Sequence, residues 1–565
     1  MRSGSFVLGI DFGTLSARAV LVNVGTGEEV ASRECAYEHG VIEGDEFSGM
    51  DPLPPGAARQ DPSDYLIALR EAVLGALKQS GVPKEAVIGL GIDFTSCTLL
   101  PTRADGRPLC WEPTFRRHPD AWVHLWKDQT AQREATVMTQ QAREQKQAFL
   151  REFGDKVAAD SFYPKVWQVA RRSPEVFQAA AYFVEAGDWI VWHLTGQRRF
   201  SLSAAAFKAM WNEGFPEAYL ASLDPNLVVL AREKMGGERY LRPGSCAGEL
   251  RPELAEELGL AAGTPVAVAN IDAHAALPGA GVSQVGTMVL VMGTSICHML
   301  LGDHLAYVPG ICGAVKDGII PGFYGYEAGQ PAFGDAFTWF ASNFLPAEYQ
   351  REAEGLGLSS LEYLEMLARR LAPGESGLVA LDWWNGNRSP LANGGLRGLI
   401  VGLSLQTRAE EVYRAILEGA AFGTAEIIRA FEDSGLAVER LRACGGVSAR
   451  SPLMLQLLAD ITGRPIEVAG SPGASALGAA IFGAVAAGPE RGGYGSVQEA
   501  VQRMAPPPRG VFSPDPHRHE VYSELYAVYR ELFHHFGRAE VRLMNTLTTL
   551  RAKARDGAGE IPGKA

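Results

Sequence analysis

The stretch FVLGIDFGTLSARAVLVNV, residues 6–24, contains two apolar runs joined by a short turn with a Gly-Thr pair. Apolar runs of this length around a glycine-containing turn predict a β-hairpin. Residues 287–301, TMVLVMGTSICHMLL, repeat the plan of apolar run, Gly-Thr turn and apolar run. Each half then alternates strand-like runs with amphipathic helices. We therefore predict a duplicated α/β fold with two lobes around a central cleft.

The pattern breaks near residues 278–286, PGAGVSQVG, which suggests a domain boundary. We predict a first domain over residues 1–282, a second over 283–545, and a flexible C-terminal tail over 546–565. A chain of 565 residues, 47% of them hydrophobic, is long enough to form two large cores.

The charge balance argues against several classes of partner. The chain has 52 Lys and Arg against 65 Asp and Glu, a net charge of −13, and no basic stripe, so we expect no nucleic acid and no anionic membrane. Seven cysteines without a CxxC pair indicate reduced thiols rather than disulfides or a zinc site. Without a signal-peptide pattern or a run of 18 apolar residues, the expected location is the cytoplasm.

The turn of the first hairpin could hold a phosphate. Gly13 suits a tight turn, and Thr14 offers a hydroxyl and an N–H group to phosphate oxygens. Asp11 ends the preceding strand, where it could reach a Mg²⁺ ion directly or through water. Taken alone, the motif fits an ordinary hairpin turn equally well.

Two motifs in the second half could complete a nucleotide site. Gly293, Thr294 and Ser295 form the turn of the second hairpin, which could grip the triphosphate from the opposite side. Gly445 and Gly446 lie between a strand and a helix, where a backbone without side chains lets an adenine ring approach closely. A plain strand-to-helix turn explains the glycine pair equally well.

Two other stretches carry weaker signals. The tetrapeptide Gly-Ile-Asp-Phe of residues 9–12 recurs at 91–94, which hints at related strand ends. The small-residue run GASALGAA, residues 473–480, indicates either close approach of a ligand or tight helix packing.

Asp272 is the candidate general base. It follows the apolar run PVAVA in the sequence NIDAH, close to the expected domain boundary. A carboxylate at a strand end beside a cleft suits proton abstraction from a hydroxyl during phosphoryl transfer. The alternative is a helix N-cap aspartate, and His274 is better explained as a packed, hydrogen-bonded histidine. No Walker A, GxGxxG, HExxH or GxSxG motif occurs, which argues against the classes of enzyme that use them.

Together these motifs resemble the FGGY family of carbohydrate kinases, which has the actin/hexokinase/Hsp70-type ATPase fold built from duplicated ribonuclease H-like domains. The resemblance covers roughly residues 6–545. It rests on GIDFGTLSARAVLV, GIDFTSCTLLPT, HLWKDQTAQ, PKVWQ, DWIVWHLTG, FKAMWN, NIDAHAALPGAG, VMGTSICHMLL, GIIPGFYGYEAGQPAFGD, ALDWWNGNRSPL and CGGVSARSPLMLQLLADITGR.

The resemblance implies a role for each matching residue. Asp272 corresponds to the catalytic base, and Lys208, Glu327 and the loop residue Ser96 correspond to sugar-binding positions, although residue 96 varies within the family. Asp11, Gly13 and Thr14 correspond to the first phosphate loop and its Mg²⁺ site. Gly293, Thr294 and Ser295 correspond to the second phosphate loop. Gly445 and Gly446 correspond to the adenosine site.

The resemblance also implies a reaction. FKAMW, GYEAGQ and DWWNGNRSP are typical of family members that phosphorylate L-ribulose to L-ribulose 5-phosphate with ATP and Mg²⁺ in L-arabinose catabolism. Two alternatives stay open: a kinase for D-ribulose or another pentulose or pentitol, and an actin-fold ATPase that acts through a protein partner. The sequence leaves monomer and homodimer open.

Overall fold

The structure is a computed structural model that describes residues 4–44, 47 and 49–557. Its strands are β1 (Phe6–Phe12), β2 (Ser16–Asn23), β3 (Glu29–Ala36), β4 (Arg59–Gln60), β5 (Val87–Phe94), β6 (Leu99–Thr102), β7 (Val123–His124), β8 (Tyr182–Glu185), β9 (Arg199–Ser201), β10 (Arg239–Leu241), β11 (Cys246–Glu249), β12 (Pro265–Ala267), β13 (Asn270–Ile271), β14 (Gly286–Met292), β15 (Ile296–Gly302), β16 (Gly313–Lys316), β17 (Tyr324–Gln330), β18 (Val379–Leu381), β19 (Leu399–Val401), β20 (Val438–Cys444), β21 (Ile466–Val468) and β22 (Gly510–Phe512).

The helices are α1 (Pro62–Ser80), α2 (Gln132–Glu144), α3 (Phe162–Arg172), α4 (Pro174–Ala179), α5 (Ala186–Thr195), α6 (Leu202–Ala209), α7 (Glu217–Leu223), α8 (Pro225–Val229), α9 (Pro252–Leu258), α10 (Asp272–Gly279), α11 (Gly334–Phe344), α12 (Ala347–Gly355), α13 (Ser360–Ala368), α14 (Ala409–Asp433), α15 (Gly446–Arg450), α16 (Pro452–Thr462), α17 (Ala474–Ala487), α18 (Val497–Met504), α19 (Pro516–His534) and α20 (Val541–Gly557).

Two seven-stranded sheets form the centres of the two lobes. The first has the order β11-β12-β5-β1-β2-β3, with β13 also paired to β5, and the second has the order β16-β17-β15-β14-β20-β21-β22. In both sheets an antiparallel hairpin lies next to a third antiparallel strand on one side and to parallel strands on the other. This shared strand order confirms the predicted duplicated, two-lobed α/β fold.

The recurring Gly-Ile-Asp-Phe tetrapeptides lie side by side. Strands β1 and β5 are parallel neighbours, and residues 9–12 pair in register with residues 91–94. A Cβ atom at Gly9 would stand 1.9 Å from the Ala476 carbonyl oxygen, and one at Gly91 would stand 1.7 Å from that of Ala479. The glycines therefore let helix α17 lie directly on the backbone of both strands.

Helix α17 comes from the second half of the chain but covers the sheet of the first half. It also crosses α10 at backbone contact, since Cβ atoms at Gly478 and Gly279 would stand 1.8 Å from the carbonyl oxygens of Ala275 and Ala474. Tight helix packing is therefore the explanation for the run at residues 473–480. A buried core between the lobes draws side chains from both halves, among them Val7, Val20, Leu277, Val289, Ile481 and Phe482.

The C-terminal residues are partly helical. Residues 546–557, the first part of the segment expected to be a flexible tail, belong to α20, and residues 558–565 lie outside the described residues. Among the described residues, no helix combines the length and apolar character needed to cross a membrane.

Candidate active site

A cavity of about 190 Å³ lies between the lobes. It brings together residues from the first hairpin, from the end of β20 and from the start of α17. Its lining consists of Asp11, Gly13, Ser16, Arg18, Val291, Cys444, Gly445, Pro472, Gly473, Ala474 and Ser475. Three of the residues assigned to the nucleotide from the sequence, Asp11, Gly13 and Gly445, therefore face one cavity.

The two hairpin turns have similar hydrogen bonding. The Gly13 N–H donates to the Ser16 carbonyl at 2.9 Å, and the Gly293 N–H donates to the Ser295 carbonyl at 2.9 Å. Neither glycine has a positive φ, and a Cβ at Gly13 would meet only the Ser16 oxygen, at 3.5 Å. The turn does not require glycine, contrary to the sequence-based reason, and Gly13 instead leaves open the side of the turn that faces the cavity.

Neighbouring side chains and helices hold both turns in place. Trp126 donates its indole N–H to the Thr14 hydroxyl oxygen at 3.1 Å, and the Gln60 amide donates to the Thr14 carbonyl at 2.7 Å. In the second turn, the Thr294 carbonyl accepts N–H groups from Phe333 at 2.8 Å and Asp335 at 3.2 Å, at the start of α11. Each turn is therefore fixed before any ligand binds.

Gly445 has a backbone conformation that requires glycine. Its φ is +91°, and a Cβ would stand 2.7 Å from the Met292 carbonyl oxygen beside the second turn. Gly446 follows it as the first residue of α15. Any side chain at position 445 would separate β20 from the second hairpin, so this glycine serves the packing of the cavity wall.

Asp272 is the first residue of α10 and does not cap the helix. Ile271 occupies the N-cap position, and an Asp272 carboxylate oxygen accepts the neighbouring Ala273 N–H, at 2.7 Å. Burial, followed by the charge of Asp11, raises the pKa of Asp272 to about 7. The residue as a whole is half-buried.

Lys208 and Glu327 form a buried ion pair next to Asp272. The Lys208 Nζ donates to both Glu327 oxygens, at 3.0 and 2.8 Å, across the boundary between α6 and β17. Burial is the largest single influence and disfavours both charges, but the ion-pair partner and other neighbouring groups together outweigh it, so the pKa of Lys208 is raised and the pKa of Glu327 is lowered. The charges of Glu327 and Lys208 both act on Asp272, which places the pair at the same site.

His274 holds the Glu327 carboxylate of this ion pair in place through hydrogen bonds. Its Nε2–H donates to Glu327 Oε2 at 3.1 Å, and its Nδ1 accepts from the Ser203 hydroxyl at 2.8 Å. Burial lowers the pKa of His274, and its ring packs 4.4 Å from that of Phe207. The prediction of a packed, hydrogen-bonded histidine is confirmed.

Ser96 lies beside Asp272, Lys208 and Glu327 and takes no part in the hydrogen bonds described above. It lines a separate cavity of about 10 Å³, together with Glu185 and Asn270, which has room for about one water molecule. The structure thus brings Asp272, Lys208 and Glu327 together and leaves Ser96 at their edge.

Asp93 is a residue near the site that the sequence interpretation missed. It is fully buried, pairs in register with Asp11, and its carboxyl group interacts with the Asp11 carboxyl. Burial and the adjacent Asp11 raise the pKa of Asp93 well above its usual range. The recurring tetrapeptide was the signal that could have identified it, because its two aspartates share one register.

Comparisons with known proteins show the family to which this chain belongs. Residues 6–279 match the N-terminal domain of the FGGY family of carbohydrate kinases, and residues 288–487 match its C-terminal domain. Relatives named ribulokinase from Geobacillus thermodenitrificans and Shouchella clausii are each 46% identical, over 97% and 98% of this chain and 98% and 99% of theirs.

Solved structures support the fold. A xylulose kinase from Rhodospirillum rubrum superposes with a TM-score of 0.74 at 23% identity, over 94% of this chain and 99% of that one. Both family models match, in chain order, the two lobes that enclose the cleft. This chain belongs to the FGGY family of carbohydrate kinases.

Proposed function

We propose that this protein is a ribulokinase, which transfers the γ-phosphoryl group of ATP to the C5 hydroxyl of L-ribulose and so yields L-ribulose 5-phosphate for L-arabinose catabolism. The observation that carries the proposal is the position of Asp272, beside the Lys208–Glu327 pair and within reach of the charge of Asp11. Asp11 lines the cavity assigned to the nucleotide, so a base lies between a candidate sugar site and a candidate phosphate site.

Asp272 acts as the general base in this proposal. Its carboxylate accepts the proton of the C5 hydroxyl as the hydroxyl oxygen attacks phosphorus. A pKa of about 7 suits this task, because the group is partly ionised near neutral pH and still basic enough to hold the proton.

Lys208 and Glu327 orient the sugar. Lys208 donates to sugar oxygens and Glu327 accepts from sugar hydroxyls, so the pair distinguishes donors from acceptors along the chain of carbon atoms. His274 and Ser203 hold the Glu327 carboxylate in position through the hydrogen bonds described above. Ser96 borders the same region from the loop after β5.

The two hairpin turns and the Gly445–Gly446 turn hold the nucleotide. We assign phosphate binding to Gly13 and Thr14 on one side and to Gly293, Thr294 and Ser295 on the other, whose fixed backbones need no rearrangement as charge develops. We assign adenosine binding to Gly445 and Gly446.

The residues near the phosphate site fit a hard divalent cation. Asp11 faces the cavity, and carboxylate oxygens are the ligands that Mg²⁺ prefers. Among the described residues, no group of three or more His, Cys, Asp or Glu side chains is arranged to hold a metal by itself. When bound, Mg²⁺ would neutralise phosphate charge, with Asp11 as its protein contact. A homodimer stays a prediction.

Release of ADP, measured by a coupled assay with L-ribulose, D-ribulose, D-xylulose, L-xylulose and pentitols, tests the proposal. We expect the highest kcat/KM with L-ribulose. A higher value with another sugar would identify a different kinase of the family, and ADP release that no sugar stimulates would favour an ATPase acting through a protein partner.

The variant Asp272→Asn tests the assignment of the base. We expect it to lower kcat by about 10²- to 10⁴-fold, because asparagine cannot accept the proton. Binding of ATP, measured by calorimetry, should change little. Near-normal turnover of this variant would refute the role of Asp272.

A further inference from the structure

Arg388 lies in a loop between β18 and β19 that is fixed to the wall of the sugar site. Asn387 and Asn393 exchange backbone hydrogen bonds of 2.9 and 2.8 Å, which closes the loop. The Ser389 hydroxyl accepts the Gly329 N–H at 3.3 Å and ties the loop to β17. The guanidinium therefore projects from a rigid support.

The Arg388 side chain lies on the same face of β17 as Glu327. Residues 327 and 329 are two apart on the strand, so positions on one face alternate with positions on the other. At Gly329 a Cβ atom would stand 3.6 Å from Arg388 Cδ and 3.8 Å from Nη1. The arginine thus occupies the space that a side chain at position 329 would fill, directly beside Glu327.

The guanidinium is short of hydrogen-bond acceptors. Its side chain is 28% exposed, the Asp160 carboxylate stands 4.0 Å from Nη2, and no described residue accepts a hydrogen bond from it. A guanidinium carries five N–H donors, and those of Arg388 are open to the cleft rather than held by protein acceptors. A bound ligand with acceptor oxygens would satisfy them.

Glu327 links Asp272 and Arg388, because it bonds to His274, two residues after Asp272, and precedes by two residues Gly329, which lies against Arg388. The charged groups that act on Asp272 include Asp11, Glu327 and Lys208, whereas the ionisable groups that act on Arg388 are Cys312, Asp160, Cys297 and Glu327. Glu327 is the carboxylate that both sets share. A sugar with one end at Asp272 and its middle at Lys208 and Glu327 would extend toward Arg388.

We propose that Arg388 binds the C1–C2 end of the substrate and donates hydrogen bonds to the ketone oxygen, so that it favours ketoses over the corresponding pentitols. This inference rests on the proposed function, in which Asp272 takes the proton of the C5 hydroxyl. A carbonyl oxygen offers two lone pairs in a plane and no proton, which suits the planar guanidinium fork. A hydroxyl in its place must direct its own proton away from the cation.

Arg388→Lys and Arg388→Gln, compared on L-ribulose and on the pentitols L-arabitol and ribitol, test this role. Relative to wild type, we expect kcat/KM for L-ribulose to fall about 10- to 100-fold. The fold decrease in kcat/KM for the pentitols should be at least ten times smaller. The loss should appear mainly in KM, because the contact is far from the transferred group and persists unchanged in the transition state. Arg408→Gln, at an exposed position of the same lobe, is the control and should leave kcat/KM unchanged for both L-ribulose and the pentitols.

Calorimetric binding of L-ribulose and L-arabitol without ATP provides a second measurement that does not depend on turnover. If Arg388→Lys weakens the binding of L-ribulose and L-arabitol equally, or weakens neither, the proposal is overturned. The proposed function fails separately, if the wild-type enzyme does not phosphorylate L-ribulose.

Discussion

At the residue scale, position rather than residue type sets the pKa values of the carboxyl groups in the candidate active site. Asp11 and Asp93 end neighbouring strands, and Asp272 follows the adjoining β13, so three acidic groups converge at one edge of the first sheet. Repulsion and burial favour the protonated form of each. Glu327 lies nearby but behaves oppositely, because Lys208 neutralises it.

The pH dependence of the reaction should therefore follow Asp272. We expect kcat/KM for the sugar to rise as the pH increases through about 7, because the base must lose its proton before it can accept one. Initial rates between pH 5 and 9 in a mixed buffer of constant ionic strength measure this. A profile that is flat from pH 5 to 8 would contradict the raised pKa of this group.

Stability should change with pH in the opposite direction. Because the folded-state pKa of Asp272 exceeds that of an unfolded aspartate, its contribution to stability is complete below about pH 4 and is lost as the pH rises through about 7. Asp272→Asn should accordingly raise Tm relative to wild type more at pH 8 than at pH 5, as measured by calorimetry.

At the element scale, helix α17 depends on glycines in the strands that it covers. Gly9, Gly89 and Gly91 of the first sheet face backbone atoms of residues 476–483 at distances that no Cβ can occupy. Helices α10 and α17 use glycine in the same way where they cross. The two sheets are thus joined through a helix pair with almost no side-chain volume between its backbones.

Gly91→Ala should separate α17 from β5. A Cβ at this position would overlap the Ala479 carbonyl, so we expect a loss of about 3 kcal/mol or more in the free energy of unfolding. Gly355→Ala, at the end of α12, is the matched control, since a Cβ there meets nothing within 4 Å and should change stability by less than about 1 kcal/mol. Denaturant unfolding compares the two. Equal stability of both variants would show that the helix can shift at no cost.

At the scale of the whole molecule, the lobes are not independent bodies. Besides the shared core, Lys156 of the first lobe donates to the Ala392 carbonyl at 3.2 Å, and Arg442 of the second donates to the Ala280 carbonyl at 2.6 Å. A backbone approach also joins Gly154 to Ile311, where a Cβ would stand 2.4 Å from the carbonyl oxygen. The cleft is thereby bounded by contacts on several sides.

A fragment of residues 1–282 should therefore fail to fold alone, although it spans the whole predicted first domain. It lacks α17, so the face of β1 and β5 that carries Gly9 and Gly91 would be exposed to water. We expect the fragment to bind a hydrophobic dye and to be digested rapidly by protease. Co-expression with residues 283–565 should restore a protected complex, and a protease-resistant isolated fragment would contradict this prediction.

The order of motifs along the chain was sufficient to predict the two hairpins, the duplicated lobes and the place of Asp272 at the cleft, because strand and turn patterns depend on residues adjacent in sequence. Only the family resemblance led to the prediction that Lys208 and Glu327 bind the sugar, and the structure shows that the two residues form an ion pair. The pairing of Asp11 with Asp93, the cover that α17 gives to the first sheet and the position of Arg388 beside Glu327 required the tertiary structure. Each depends on the register or the close backbone approach of segments that are far apart in the chain. The local pattern of residues carries no information about such contacts.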